Sequence, residues 1–196
     1  MGIKVITHHL EMIDPAALRP ARNKGTDFEV RHARVACPEL NRFFYTAVGG
    51  DWYWIDRLGW SYERWLAYLD RPEVQTWVGS VAGTPAGYFE LEAQAGNNVE
   101  IAYFGILPQF TGQGLGGALL TAAVEHAWQM GPSRVWVHTC SLDHPSALAN
   151  YLARGFRIFK EEEADLNLPG EAPGPWPGAQ RHTRPRADGL AALSPR

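Results

Sequence analysis

The stretch that decides the fold is residues 100–117, EIAYFGILPQFTGQGLGG, which lead directly into ALLTAAVEHAWQM at residues 118–130. Residues 99–107 are apolar, β-branched and aromatic, which predicts a strand that ends at Pro108. The apolar run after the glycines predicts a mostly buried helix. A glycine-dense loop between a strand and a helix N-terminus is a place to bind phosphate, because backbone N–H groups converge there and the helix dipole favours an anion.

The spacing of this loop excludes two common phosphate-binding loops. No Gly-Lys-Ser/Thr follows, so the Walker lysine and the hydroxyl for Mg²⁺ are both missing. Gly112, Gly114 and Gly116 alternate with single residues, which differs from the G-x-G-x-x-G spacing of dinucleotide-binding folds. Taken by itself, the loop is equally compatible with a tight strand-to-helix connection.

Composition narrows the class of protein. The 196 residues are enough for one domain, and a net charge of −3 without long blocks of like charge gives no basis for a nucleic-acid or membrane partner. Cys37 and Cys140 lack C-x-x-C spacing, which argues against a disulfide scaffold or a zinc site and fits a reducing compartment. The first residues lack a signal-peptide core, and no run of about 18 apolar residues occurs. We therefore expect a cytoplasmic protein.

Periodicity and turn residues predict the order of the elements. Strands are predicted at residues 28–36, 74–81, 86–93, 99–107, 134–139 and 156–160, and helices at residues 38–48, 62–69, 115–130 and 143–154. Asp143 is the expected cap of the last helix, and Thr121, Glu125 and Gln129 are expected to form the outer stripe of the helix at 115–130. The pattern predicts an α/β fold with a mixed, mostly antiparallel central sheet and helices on both faces.

Three parts of the chain are distinguished by composition. Residues 1–27 are predicted to be an N-terminal extension that contains a short strand at Ile3–Met12. Residues 28–168 hold the motifs and the predicted sheet. Residues 169–196 are rich in proline and glycine, which predicts a mobile tail.

Two blocks of sequence resemble the GCN5-related N-acetyltransferase (GNAT) superfamily. Residues 111–116, TGQGLG, are similar to its motif A, Q/R-x-x-G-x-G/A, although Thr111 replaces the usual Gln or Arg. Residues 147–156, ALANYLARGF, are similar to its A-x-x-x-Y-x-x-x-G-F signature. The resemblance covers residues 28–160 and implies the acyl-CoA N-acyltransferase fold with acetyl-coenzyme A (acetyl-CoA) as the acyl donor.

The resemblance assigns donor-binding residues. It implies that loop amides hold the pyrophosphate, that the end of the preceding strand pairs with the pantetheine arm, and that an asparagine in the second block contacts the same arm. These positions are Gly112, Gln113, Gly114, Leu115, Gly116 and Gly117 in the loop, Ile106 and Leu107 in the strand, and Asn150.

The chemistry of acetyl transfer requires a base and an acid. Glu100 resembles the general-base glutamate of histone-acetylating members, with Glu90 and Glu92 as fallback bases. The alternative for Glu100 is a strand-end carboxylate in solvent or in an ion pair. Tyr151 matches the tyrosine that donates a proton to the coenzyme thiolate, and packing in the core is the alternative for it.

An aromatic segment marks the expected acceptor side. Ten aromatic residues lie between positions 43 and 68: Phe43, Phe44, Tyr45, Trp52, Tyr53, Trp54, Trp60, Tyr62, Trp65 and Tyr68. In the family this first helical pair walls the acceptor cleft, so Trp52, Trp54 and Glu90 are candidate substrate contacts. His138 and His144 either line the cleft or serve surface and capping roles, and the histidines show no metal-binding spacing.

These observations predict an acetyl-CoA-dependent N-acetyltransferase that acts on the primary amine of a small molecule. Two alternatives remain at this level. One is acetylation of a protein lysine or N-terminus, which needs a cleft open enough for a peptide. The other is a non-catalytic acyl-CoA-binding module. No metal is expected, and a homodimer is left open.

Overall fold

The computed structural model describes residues 2–21, 27–177 and 179, and in this part of the chain seven strands form one sheet. The strands are β1 (Ile3–Met12), β2 (Phe28–Ala33), β3 (Val74–Val81), β4 (Thr84–Gln94), β5 (Asn98–Ile106), β6 (Arg134–Cys140) and β7 (Arg157–Leu166). The helices are α1 (Pro38–Gly49), α2 (Tyr62–Leu69), α3 (Leu115–Gln129) and α4 (Ala147–Ala153). The strand order is β2-β3-β4-β5-β6-β1-β7. Neighbouring strands are antiparallel except β5 and β6, so the predicted mixed sheet is confirmed.

Helices cover both faces of the sheet. On one face α3 buries Leu119, Leu120 and Val124 in a core that includes Phe89 of β4. On the other face α1 packs Phe44 against Tyr88 of the same strand, with ring centroids 4.9 Å apart. Successive side chains of a strand point to opposite faces, so Tyr88 and Phe89 separate the two helical layers.

Local signals place several elements where the sequence predicts them. Helix α2 begins after Ser61, whose Oγ accepts a hydrogen bond from the backbone N–H of Arg64 at 3.3 Å. Gly155 follows α4 with a φ of +100°, and a Cβ there would collide with the carbonyl oxygen of Ala17. Glycine is therefore required at residue 155 both for its backbone angle and for the approach of the N-terminal segment.

The prediction for the N-terminal residues needs correction. Strand β1 lies inside the sheet and pairs with β6 on one side and β7 on the other. Residues 1–27 therefore include a structural strand rather than forming an extension beside the domain. Strand β7 is also longer than the predicted 156–160, because its pairing with β1 continues to Leu166.

Two helical predictions are also corrected. Helix α4 begins at Ala147, and Asp143 does not cap it: the Asp143 carboxylate accepts hydrogen bonds from Thr139 Oγ1 at 2.7 Å and from Cys140 N at 2.9 Å. Thr121 is buried instead of lying on an outer stripe of α3, and its Oγ1 accepts a hydrogen bond from the N–H of Ala21 in the N-terminal segment.

The C-terminal segment is described in part. Residues 169–177 and residue 179 belong to the described structure, whereas residues 178 and 180–196 of the predicted mobile tail lie outside the described residues. Among the helices of the described ranges, none is long and apolar enough to cross a membrane.

Candidate active site

The central cavity lies where β5 and β6 stop pairing. The two strands pair from Asn98 to Glu100 and from Arg134 to Trp136, and beyond these residues both continue along the walls of a cavity of about 1030 Å³. A bulge in β5 leaves Ala102 unpaired between the β4-paired residues on either side of it. Because β6 no longer pairs with β5 beyond Glu100, the edge of β5 that faces the cavity is available to an extended ligand that hydrogen-bonds like an added strand.

The glycine loop ends at the N-terminus of α3. Gly112 and Gly114 have φ values of +82° and +78°, which lie in the left-handed region that glycine adopts readily, and Gly114 precedes the first residue of the helix. No acidic residue lies in the first turn of α3. Gly112, Gly116 and Gly117 line the cavity, so the positive end of the helix dipole faces it.

Arg154 adds a positive charge beside this helix terminus. A Cβ on Gly117 would lie 2.5 Å from Nη1 of Arg154, so glycine at residue 117 lets the guanidinium pack on the first turn of α3. Arg154 was missed from the sequence. Its position directly before Gly155 and Phe156 of the second family block was the available signal.

Tyr151 stands on the same side of the cavity as the loop. It is 5% exposed, lines the cavity, and contacts the rings of Phe104 and Phe156 with centroids 6.0 and 6.1 Å away. Burial, with a smaller contribution from Asp143, raises the pKa of the Tyr151 hydroxyl well above its usual value. Because of this raised pKa the hydroxyl keeps its proton at neutral pH, and it forms no hydrogen bond to any described residue that would compete with a ligand.

Glu100 reaches the cavity through His138. Glu100 is 9% exposed and does not line the cavity, whereas His138 does. One carboxylate oxygen accepts a hydrogen bond from Gln94 Nε2 at 2.6 Å, and the other lies 3.1 Å from Nδ1 of His138. The hydrogen bond to Glu100 raises the pKa of His138 despite its partial burial. With Nδ1 directed to Glu100, Nε2 is the ring nitrogen left for a ligand.

Glu90 and Glu92 have structural partners, which corrects their candidacy as substrate contact and fallback bases. Glu90 is fully buried, and it binds Arg57 Nη1 and Asn41 Nδ2, each at 2.8 Å. Glu92 binds Arg71 Nη2 at 2.7 Å. Neither carboxylate lines the cavity. Both carboxylates therefore stabilise the fold by connecting their strand to these partners.

The aromatic segment forms one wall of the cavity, as predicted for Trp52 and Trp54. Trp54 Nε1 donates a hydrogen bond to Asp143 at 3.4 Å, and the Trp52 ring lies 5.2 Å from that of His144. His144 also lines the cavity. These contacts join the loop after α1 to the loop after β6 across the divergent strands.

Arg57 anchors this wall and was missed from the sequence. Its guanidinium lies 4.1 Å from the ring centroid of Tyr68 and 4.2 Å from that of Tyr103, which lines the cavity. Burial alone would lower the pKa of Arg57, but Glu90 raises it above its usual value. The aromatic segment contains two arginines, Arg57 and Arg64, and a cation among so many aromatic residues was the signal for such a cluster.

The predicted donor-binding residues divide into two groups. Those that line the cavity are Ile106, Gly112, Gly116, Gly117 and Asn150. Those outside its lining are Leu107, Gln113, Gly114 and Leu115. The N–H of Leu107 donates to Ala86 and is already engaged, and its carbonyl accepts from Phe110 but retains a second lone pair, so pairing of Leu107 with pantetheine stays a prediction that only the carbonyl could fulfil.

The divided sheet with a glycine loop at its opening defines the class: it is the fold of acyl-CoA N-acyltransferases. The model of the acetyltransferase (GNAT) family matches residues 36–156, more than half of the sequence. The chain belongs to this family.

Solved structures agree with the fold. A GCN5-related N-acetyltransferase from Kribbella flavida has a TM-score of 0.59 at 19% identity, covering 80% of this chain and 55% of that one. Its counterpart from Sphaerobacter thermophilus has a TM-score of 0.56 at 16% identity, covering 86% and 54%. The ribosomal-protein-S18-alanine N-acetyltransferase from Escherichia coli has a TM-score of 0.52 at 16% identity, covering 66% and 77%. The chain spans little more than half the length of the first two, and no protein of curated function matches its sequence.

Proposed function

We propose that the chain is an acetyl-CoA-dependent N-acetyltransferase whose acceptor is the primary amine of a small molecule. One observation carries this proposal: a single cavity joins the glycine loop and Tyr151 on one side to His138, backed by Glu100, on the other. Acetyl transfer needs an anion cradle, a proton acceptor and a proton donor around one space, and these residues supply the three functions.

The donor side fits acetyl-CoA. The amides of the loop and the first turn of α3, together with Arg154, favour a pyrophosphate. Asn150 Nδ2 donates to the carbonyl of Gly116 at 3.2 Å, which leaves its Oδ1 for an amide N–H of the pantetheine arm. The free edge of β5 up to Ile106 offers backbone groups to the same arm. When bound, acetyl-CoA supplies an acyl group on a good leaving group.

The acceptor side fits an amine that must lose a proton. At pH 7 an ordinary ammonium, with a pKa near 10.4, costs about 4 to 5 kcal/mol to neutralise. His138 Nε2 accepts that proton in the proposed mechanism, and Glu100 holds the ring in position and stabilises its protonated form. Tyr151 gives its proton to the departing thiolate. Glu100 thus acts through His138, which refines the direct glutamate base expected from sequence.

The test of this function is a transfer assay on the full chain. A panel of small primary amines and a lysine-containing peptide is incubated with acetyl-CoA, and free thiol and acetylated product are both measured. We expect thiol release that depends on a small amine and yields an acetylated product. Binding of acetyl-CoA without transfer to any amine would contradict the proposal and favour a non-catalytic acyl-CoA-binding module.

Gly116 tests the position of the donor. A Cβ on Gly116 would lie 3.8 Å from Asn150 Nδ2 and 4.0 Å from Ile106 Cγ1, so a longer side chain enters the donor side of the cavity. Because Gly116→Glu adds bulk and a negative charge there, we expect acetyl-CoA affinity to fall by about 100-fold or more, equivalent to about 2.8 kcal/mol, in calorimetry. Gly116→Ala is the matched control and should bind nearly as the parent does, since its contacts are ordinary. Unchanged affinity in a folded Gly116→Glu protein would show that acetyl-CoA binds elsewhere.

Tyr151 tests the proton donor. Tyr151→Phe removes one hydroxyl and retains the ring contacts with Phe104 and Phe156. We expect kcat to fall by roughly 10- to 1000-fold, in the range for a lost general acid, with the Kd of acetyl-CoA almost unchanged. Tyr62→Phe is the control, because Tyr62 is exposed on α2 and outside the cavity lining. Parental kcat under conditions where chemistry limits the rate would refute the acid role.

A further inference from the structure

We propose that residues 166–174, here called the strap, close the acceptor end of the cavity and restrict the acceptor to small amines. This inference rests on the proposed function and names a segment that selects among its substrates. It concerns the part of the chain that lies beyond the residues matched by the family model.

One end of the strap is fixed to the sheet. Leu166 is the last residue of β7 and pairs with Ile3 of β1. Leu166, Asn167 and Leu168 then line the same cavity as His138. The chain thus leaves the sheet at Leu166 and runs along the cavity.

The other end of the strap is fixed to the end of α1. The backbone N–H of Gly174 donates to the carbonyl of Gly50 at 2.9 Å, and Asp51 and Trp52, which follow Gly50, line the cavity. Gly50 itself has an ordinary helical φ of −59°, so its own backbone does not require glycine. A Cβ at residue 50 would collide with the carbonyl carbon of Gly174. The absence of a side chain at Gly50 therefore serves the docking of the strap.

These two attachments lie on different elements that border the cavity. One attachment is at Leu166, the cavity-lining end of β7, and the other is at Gly50, next to the aromatic segment that carries Trp52 and Trp54. A free amine on a short chain can enter beneath such a bridge. A lysine within a peptide brings flanking backbone on both sides, and that backbone meets the strap. The strap thus favours the small-molecule acceptor over the peptide alternative.

The test measures access to the cavity without relying on catalysis. Cys140 lines the cavity, whereas Cys37 precedes α1 outside its lining, so a Cys37→Ser background leaves one reporting thiol among the described residues. The rates of labelling by iodoacetamide and by a bulky fluorescein maleimide are compared. Gly50→Ala disturbs the docked strap by collision, and Gly174→Val disturbs it by placing a β-branched residue at a φ of +64°. Gly59→Ala is the control, because no atom lies within 4 Å of the added Cβ.

We expect both strap variants to accelerate maleimide labelling by about tenfold, equivalent to about 1.4 kcal/mol, with a much smaller change for iodoacetamide. We also expect kcat/KM for a lysine-containing peptide to rise relative to that for a small amine. Unchanged rates of maleimide labelling in both folded variants would overturn the proposal that the strap closes the cavity. If the strap variants label faster while the parent acetylates no amine, the strap stands and the proposed function fails.

Discussion

Glu90→Gln is expected to lower the free energy of unfolding by about 3 to 5 kcal/mol, because it removes one partner of a buried ion pair. The fully buried Glu90 carboxylate faces Arg57, which is only 6% exposed. A neutral amide cannot balance the positive charge of the Arg57 guanidinium. Its NH₂ group is also a donor and would face the donors of Arg57 and Asn41. Urea or thermal unfolding of the variant measures the loss.

Glu92→Gln is the matched control for this prediction. Glu92 lies two residues along the same strand, and its partner Arg71 is partly exposed, so we expect a change of about 1 kcal/mol or less. If Glu90→Gln kept parental stability but lost activity, Glu90 would be a catalytic or substrate-binding carboxylate, contrary to the structural role assigned here.

His138→Gln is expected to reduce kcat by roughly 100- to 10,000-fold, the range for a lost general base. Glutamine retains a group that can donate a hydrogen bond toward Glu100 but has no nitrogen able to take a proton from the amine. The Kd of acetyl-CoA is expected to stay near the parental value, because the glycine loop and Asn150 form the donor side. Parental kcat in a folded His138→Gln protein would show that another group accepts the proton.

The pH profile separates His138 from Glu100. As a base, His138 works in its neutral form, so kcat is expected to rise as pH increases through its pKa, which the hydrogen bond to Glu100 raises above its usual value. Glu100→Gln removes the negative charge that raises this pKa, so the rising limb of kcat is expected to move to lower pH while the plateau decreases. Glu92→Gln is again the control, and we expect it to leave the rising part of the pH profile of kcat unchanged. A purely structural Glu100 would give a stability loss without any shift of the limb.

The sequence was sufficient for elements that short-range chemistry defines. Ser61 marks the start of α2, the predicted 74–81 strand matches β3, and the glycines after Pro108 lead into α3 at Leu115. Each of these depends on residues within a few positions of one another, through a cap, an alternation or a turn. The motif spacing also located Tyr151 and three cavity-lining glycines.

The sequence patterns did not predict the long-range contacts. The pairing of β1 with β6 and β7 joins the two ends of the chain, and nothing in residues 3–12 specifies those partners. The same limit explains Glu90, because Arg57 and Asn41 approach it from a loop and a helix far away along the chain. The fold was predictable where local pattern and family motif agreed, and incomplete where a distant segment completes the sheet.

In the candidate site, too, the sequence predicted one residue of a pair but not the contact between the two. Glu100 was selected from its place in the strand, yet the atom that reaches the cavity belongs to His138 on the parallel neighbour. Parallel strands pair through a crossover helix, so the register that brings these two residues together depends on the length and packing of α3. A single sequence supplies the residues of such a pair but not the distance between them.

The position of β1 has a consequence for synthesis of the chain. Strand β1 is translated before β2 to β5, whereas both of its sheet neighbours, β6 and β7, are translated after them. A nascent chain can assemble β2 to β5 with α1 and α2 early. Until β6 and β7 are made, the backbone of β1 stays unpaired and its apolar side chains stay exposed. Completion of this sheet is therefore a late event in biogenesis, and a chain released before β6 is translated exposes a strand ready to aggregate.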